Sequence, residues 1–233
     1  LMMPQSISKR KIYFYLLILL FLSSTFNFNI ISKFKKLNVI NHINIIGLDE
    51  KEKSNLEKNL EIFINKNIFL ISKEEAESVL KNISFIDSYS IIKVFPSNLI
   101  VNVTKTKFVG KTILNGKKFY IGKNGKFTKI SLVEKKYNLP QVFGNFRIDE
   151  FLKLQEILST NGFNLNQINK YYYFKSNRWD IEYDNNTIVM LPSFNLEKSL
   201  KNYKSLIKSE KIRPGEIIDL RMKNKIIVSN AEK

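Results

Sequence analysis

The sequence predicts an α+β chain: a single N-terminal transmembrane helix, then a small unit of three strands and two helices, then a C-terminal β-rich unit with flanking helices. Three observations predict it. An unbroken apolar and aromatic run from Ile12 to Leu22, continued by Ser23 to Ile31, makes about 20 residues, enough helix to cross a bilayer. The stretch from Ile91 to Gly110 reads as two strands folded about Pro96-Ser97-Asn98. After it, short runs with strand patterning recur between Asn, Gly and Pro turns, interrupted by two amphipathic helices.

At 233 residues and 44% hydrophobic, the chain holds one or two modest domains. A formal charge of +17 invites a nucleic-acid reading. The composition argues against it. Arginine occurs only at 10, 147, 178, 213 and 221, and the lysines are spread through a chain rich in Asn and Ile, which points to a coding bias rather than a basic groove. There is no cysteine, so neither a disulfide framework nor thiol chemistry is available.

In chain order, residues 1–11 form a short basic tail and residues 12–31 a span. Ser23, Ser24, Thr25, Asn27 and Asn29 weaken its second half, and Ser23-Ser24-Thr25 is a candidate small-residue end for a cleaved signal peptide. The lack of an A-x-A-like site, and the apolar Phe26, Phe28, Ile30 and Ile31 beyond it, favour an uncleaved signal anchor. Lys9, Arg10 and Lys11 before the span are matched by Lys33, Lys35 and Lys36 after it, so charge alone does not orient it. Size does: a short tail stays inside, and a long domain is translocated largely regardless of charge.

Val39 to Ile46 reads as a strand with Ile43 and Ile45 on one side, stopped by Gly47. Leu56, Leu60, Phe63 and Ile64 make one apolar stripe of a helix whose remaining faces carry Glu50, Lys51, Glu52, Lys53, Glu57 and Lys58. Ser72 with Glu75 is a capping box, and Ala76, Val79, Leu80 and Ile83 give the second helix its buried side. Strands follow at Phe85 to Phe95 and Leu99 to Val109. Proline sets its own φ and extends Phe95, while Leu99, Val101 and Val103 alternate with Ile100, Asn102 and Thr104.

That order resembles the POTRA domain of the FtsQ/DivIB family of bacterial division proteins. The residues that carry it are the basic tail and single span, then Ile43-x-Ile45-x-Gly47, then Ile91-x-Lys93-x-Phe95-Pro96-x-x-Leu99-x-Val101-x-Val103. Where the family usually has a Glu and a Pro-Val-Ala, this chain has Lys105 and Phe108-Val109-Gly110. POTRA domains also occur in outer-membrane assembly proteins.

The second unit narrows the choice. Lys118 to Gly122 enters Lys123-Asn124-Gly125-Lys126, read as a type I′ turn. Leu139-Pro140-Gln141-Val142-Phe143-Gly144 precedes a helix from about Ile148 to Thr160 that turns Phe151, Leu154 and Leu158 inward and closes at Gly162. Tyr171 to Lys175, Arg178 to Tyr183 and Thr187 to Leu191 are strands. A further helix carries Leu196, Leu200, Tyr203 and Ile207, and the chain ends in Ile217 to Arg221, a turn at Lys223-Asn224-Lys225, and Ile226-Ile227-Val228. Strand into Asp-Gly-like turn, Leu-Pro-x-x-x-Gly, helix, Arg-Trp, helix, Asp-Leu-Arg is the series of FtsQ-type β domains. The resemblance implies a POTRA domain at 37–110 and an FtsQ-type β domain at 111–230.

For chemistry the residues offer little. The sole histidine, His42, alternates outward from Ile43, with no partner for a triad or a zinc site. The carboxylates Glu50, Glu52, Glu57, Glu61, Glu74, Glu75 and Glu77 sit beside lysines, in the pattern of solvated helix faces. Asp180 and Glu182 share one strand face, and Trp179 is read as core because Ile181 and Tyr183 are in phase with it. No enzyme activity and no cofactor is expected. A membrane-anchored cell-wall enzyme and a POTRA-type outer-membrane assembly factor are the alternatives: the first needs a convergent acid/base or metal set, the second repeated POTRA units or a barrel.

The resemblance implies a bitopic, non-catalytic divisome scaffold in the cell inner membrane, with a cytoplasmic N-terminus and periplasmic domains at the division septum. It binds and recruits FtsB and FtsL-like proteins and links early to late division proteins, with other divisome membrane proteins as possible POTRA partners. The last strand has no further strand after it in the sequence, so its outer edge is a candidate for strand addition. The partner-binding residues expected there are Arg221, Met222, Lys223, Asn224, Lys225, Ile226, Ile227 and Val228. Arg221 suits a bidentate pair with a partner carboxylate; the alternative is an internal salt bridge to Asp219 or Glu216. Lys223 and Lys225 suit an acidic partner.

Overall fold

A computed structural model of the chain describes residues 9–24, 38–208, 213–222 and 225–230. Helix α1 (Lys9–Ser24) carries the apolar run, and its side chains from Ile12 to Leu22 are exposed. It has 16 residues, about 24 Å at 1.5 Å per residue, against a hydrocarbon core of about 30 Å. Among the described residues no helix is long and apolar enough to cross a membrane. Residues 25–31, the second half of the expected span, lie outside the described residues.

The first unit is a three-stranded sheet in the order β1-β3-β2, built from β1 (His42–Ile46), β2 (Ile86–Val94) and β3 (Asn98–Lys105). β1 runs parallel to β3, and β2 antiparallel to it. Two helices, α2 (Glu50–Leu60) and α3 (Lys73–Lys81), cover one face. Their Leu56, Leu60, Ala76 and Leu80 meet Ile45, Leu99, Val101 and Val103 in a common core. Ser72 caps α3 as expected, its Oγ accepting from the Glu75 N–H at 3.0 Å. Gly47 lies at φ +99, with Val103 O 2.0 Å from where a Cβ would stand, so only glycine lets the chain leave β1 against β3.

The expected strand Leu99 to Val109 is two strands. β3 stops at Lys105, and the backbone crosses into β4 (Phe108–Leu114), which belongs to the second sheet. The apolar alternation lapses over Thr104 to Lys107, and the buried phase shifts from Leu99, Val101 and Val103 to Thr106, Phe108 and Gly110. The tightest turn is also placed differently. Asn115 (φ +48) and Gly116 (φ +74) join β4 to β5 (Lys117–Gly122) with both central residues left-handed, the geometry a type I′ hairpin requires. At Lys123–Lys126 only Gly125 has positive φ, because the Asn124 side chain is engaged elsewhere: its Nδ2 donates to Ser84 O and Ile86 O at 2.9 and 2.7 Å.

The second sheet has nine described strands in the order β12-β11-β10-β9-β8-β7-β4-β5-β6. Besides β4 and β5 it contains β6 (Phe127–Lys129), β7 (Gln141–Phe143), β8 (Ile168–Phe174), β9 (Arg178–Tyr183), β10 (Ile188–Met190), β11 (Glu216–Asp219) and β12 (Ile227–Asn230). Helices α4 (Ile148–Thr160) and α5 (Leu196–Lys208) lie on one face. Phe151, Leu154, Leu158, Leu200 and Tyr203 pack there against Tyr171, Trp179, Ile181, Val189 and Ile218. Trp179 is thus core, as its phase predicts. Ile207 lies among residues whose side chains are not described.

The two units share apolar packing: Phe108, Tyr120 and Val133 of the second join the core of the first. A buried ion pair reinforces the junction. Glu52, expected on a solvated helix face, has no exposed surface; its carboxylate accepts from Lys105 Nζ and from the Glu134 N–H at 3.2 Å. Lys105 also reaches Asp49 at 3.0 Å. Burial pulls the Lys105 ammonium down, but hydrogen bonds to Glu52 and Asp49 outweigh it and the net shift is upward. An acid on α2 goes inside because Lys105 at the end of β3 needs a counter-charge there.

Candidate functional site

The sheet face opposite α4 and α5 is built by the residues that alternate with the core positions of β8, β9 and β11. Register aligns Tyr172, Asp180, Met190, Asp219 and Ile227 into one row running to the β12 edge. The neighbouring row is Lys170, Glu182, Ile188, Ile217 and Ser229. Asp180 and Glu182, on one face as the sequence implies, are only 5% and 8% exposed, covered by flanking side chains.

Each acid on this face has a basic neighbour. Glu182 accepts from Lys170 Nζ and Tyr172 Oη, both at 2.7 Å. Burial would raise its carboxyl, but those two hydrogen bonds outweigh burial and hold it below the usual range. Asp180 lies 3.2 Å from Arg178 Nε without an aligned hydrogen bond there. Burial dominates at Asp180 and raises its carboxyl, against the opposing pull of Arg178 and Arg221.

At the end of β11, Asp219 takes Arg221 in both arms: Arg221 Nε donates to Oδ1 at 2.8 Å, Nη2 donates to Oδ2, and the Arg221 N–H donates to Oδ1 at 2.9 Å. The hydrogen bonds from Arg221 hold Asp219 below the usual carboxylate range. Of the two readings of Arg221, the structure shows the internal pair with Asp219.

β12 pairs antiparallel with β11 from Glu216↔Asn230 to Asp219↔Ile227 and ends the sheet. Among the described residues it has no strand on its outer side, and all four of its residues are exposed. The strand covers Ile227 to Asn230 rather than Ile226 to Val228. Ile226 instead packs partly against the second core, while Met222 is exposed. Lys223 and Asn224 lie outside the described residues. Of the expected partner-binding residues, Arg221, Met222, Lys225, Ile226, Ile227 and Val228 are thus gathered at one sheet corner. The Tyr172-to-Asp219 row behind that corner was not singled out from sequence; the signal was the alternation of charge with core residues along Arg178–Tyr183.

Residues 113–221 match the family model "Cell division protein FtsQ/DivIB, C-terminal". Over those residues the chain is similar to the C-terminal domain of the FtsQ/DivIB family. The match runs from the end of β4 through Arg221, so it takes in the charged face and stops just short of β12. Among solved structures, the chain is similar to the major extracytoplasmic domain of the trans isomer of the bacterial cell division protein DivIB from Geobacillus stearothermophilus. The two are 12% identical, over 47% of this chain and 99% of that one, with a TM-score of 0.32. No curated protein matches the chain.

Proposed function

We propose that the chain is a bitopic, non-catalytic scaffold of the division septum, anchored in the inner membrane by its N-terminal segment, whose β12 edge takes up an extended segment of an FtsB-like protein paired with an FtsL-like one. In this reading residues 12–31 are the anchor, 37–110 a POTRA domain and 111–230 the periplasmic β domain. The observation that carries it is the outer edge of β12. An exposed strand without a described neighbour offers a row of N–H and C=O groups, which give affinity by main-chain bonding while side chains give selection. The exposed apolar side chains of α1 and the match of residues 113–221 to the FtsQ/DivIB C-terminal model support the membrane and division parts. Since Asp219 already holds Arg221, the described charge at this corner available to steer an acidic partner is that of Lys225.

The test uses the full chain in membranes and an FtsB/FtsL-like pair. Successive residues of β12 point their N–H groups alternately toward β11 and outward, so Ile227→Pro and Val228→Pro together remove one of each. The variant that loses the outward N–H keeps its fold, read by thermal unfolding, and loses at least tenfold in partner affinity. Wild-type affinity in both folded variants places the partner elsewhere.

A further inference from the structure

Three exposed apolar side chains stand together at the end of the first unit where the chain enters it. Phe69 and Phe95 are stacked with ring centroids 4.8 Å apart. Phe69, Leu70 and Phe95 are 61%, 81% and 55% exposed, although none is in a strand or helix whose packing would force it outward. Large apolar side chains left in water beside one another mark a contact surface.

The entering chain is bonded to both segments that carry the cluster. Ile68 N–H donates to Asn38 O at 2.8 Å, and Val39 bridges Asn67, two residues before Phe69. Asn41 N–H donates to Ser97 O at 2.9 Å, two residues after Phe95. The cluster is therefore fixed beside the first described residues after the apolar N-terminal segment. Residues 25–37, which join α1 to this point, contain Phe26, Phe28 and Phe34 with Lys33, Lys35 and Lys36, and no acidic residue. Aromatic residues and lysines close together in the sequence are the composition of a membrane–water interface, and lysines favour an anionic leaflet. Nearby on the unit, Lys66 is paired with Glu75 and Lys73 with Glu77, so the positive charge comes chiefly from the joining segment.

Resting on the membrane-anchored reading above, we propose that Phe69, Leu70 and Phe95 form a foot that seats the first unit on the surface of an anionic phospholipid bilayer. The occupant is the lipid surface rather than a protein. A short tether to an anchor makes the encounter intramolecular, so three side chains suffice for a seat that a free domain would not hold. Seated in this way, the first unit is held in a set attitude to the bilayer, and the β12 edge with it.

The chain has no cysteine, so single labels are clean. Full-length Leu70→Cys, Leu19→Cys and Phe194→Cys proteins, each carrying an environment-sensitive fluorophore, are reconstituted in vesicles of phosphatidylcholine with a quarter phosphatidylglycerol. Lipids with a nitroxide quencher near the headgroup or deep in the acyl chain report depth. The Leu70 label should shift to the blue and be quenched several-fold more by the shallow than by the deep nitroxide, the Leu19 label should be quenched by the deep one, and Phe194, exposed on the second unit, should stay aqueous. Phe69→Ser with Phe95→Ser should return the Leu70 label to water. An aqueous Leu70 label beside a deeply quenched Leu19 label overturns the seat and leaves the anchor standing. An aqueous Leu19 label overturns the anchor and the seat with it. A Leu70 label that is blue-shifted but quenched by neither nitroxide overturns the seat in favour of coverage by the chain's own Phe26–Ile31.

Discussion

At the scale of single residues, Glu52 and Lys105 carry the largest electrostatic stake. A carboxylate with no exposed surface is tolerable only while Lys105 and the Glu134 N–H face it. Removing the acid strands a cation that is itself largely buried, although Asp49 still reaches it. Glu52→Ala should therefore destabilise the chain at the lower end of about 3–5 kcal/mol, read from the urea midpoint. Replacing the pair by Leu and Met should recover most of that loss, because apolar groups of similar volume need no partner. This interaction was not legible in the sequence. Glu52 sits between Lys51 and Lys53 in a run that looks solvated throughout, and its inward phase shows only once Lys105 is known to lie across from it. Trp179, by contrast, was legible, because Ile181 and Tyr183 repeat its phase along one strand.

At the scale of elements, the turns decide. Gly47 and Gly116 both have positive φ, yet they differ in what surrounds them. A Cβ at Gly116 meets nothing within 4 Å, whereas at Gly47 it would collide with the backbone of Val103. Gly116→Ala should cost about 1 kcal/mol, the conformational term alone. Gly47→Ala should cost well over twice that, since β1 must move off β3; parallel thermal melts of the two variants measure the difference. Helices α3 and α4 were readable to within a residue or two from apolar stripes and the Ser72 cap. The hairpin turns were not, because two Asn-Gly pairs lie nine residues apart, at 115 and 124, and local chemistry does not rank them. What separates them is tertiary: Asn124 spends its amide on Ser84 and Ile86 across the unit junction. The break at Thr106-Lys107 did leave a trace, because Thr104 to Lys107 interrupt the apolar alternation and the buried phase changes there.

At the scale of the whole molecule, the shared packing of Phe108, Tyr120 and Val133 with the first unit's helices makes the two sheets dependent on each other. The sole tryptophan, Trp179, reports from the second core. Leu80 lies wholly inside the first. Leu80→Ala should cost about 2–5 kcal/mol and move the Trp179 fluorescence transition in urea together with the far-UV circular dichroism. A Trp179 transition left at its wild-type midpoint would show that the units unfold separately. Strand order across the nine-stranded sheet was beyond the sequence. Parallel neighbours such as β4 and β7, or β10 and β11, are joined by intervening elements, and no local residue pattern announces the pairing.

That strand order has a consequence in time. From β7 through β8, β9, β10 and β11 to β12, position in the sheet follows position in the chain. In the finished sheet each strand of this half therefore lies against the one synthesised just before it, and the last one made forms the rim. The rim formed by β12 exists only after residue 230 has been delivered, so a partner that reads Ile227 to Asn230 passes over every shorter product.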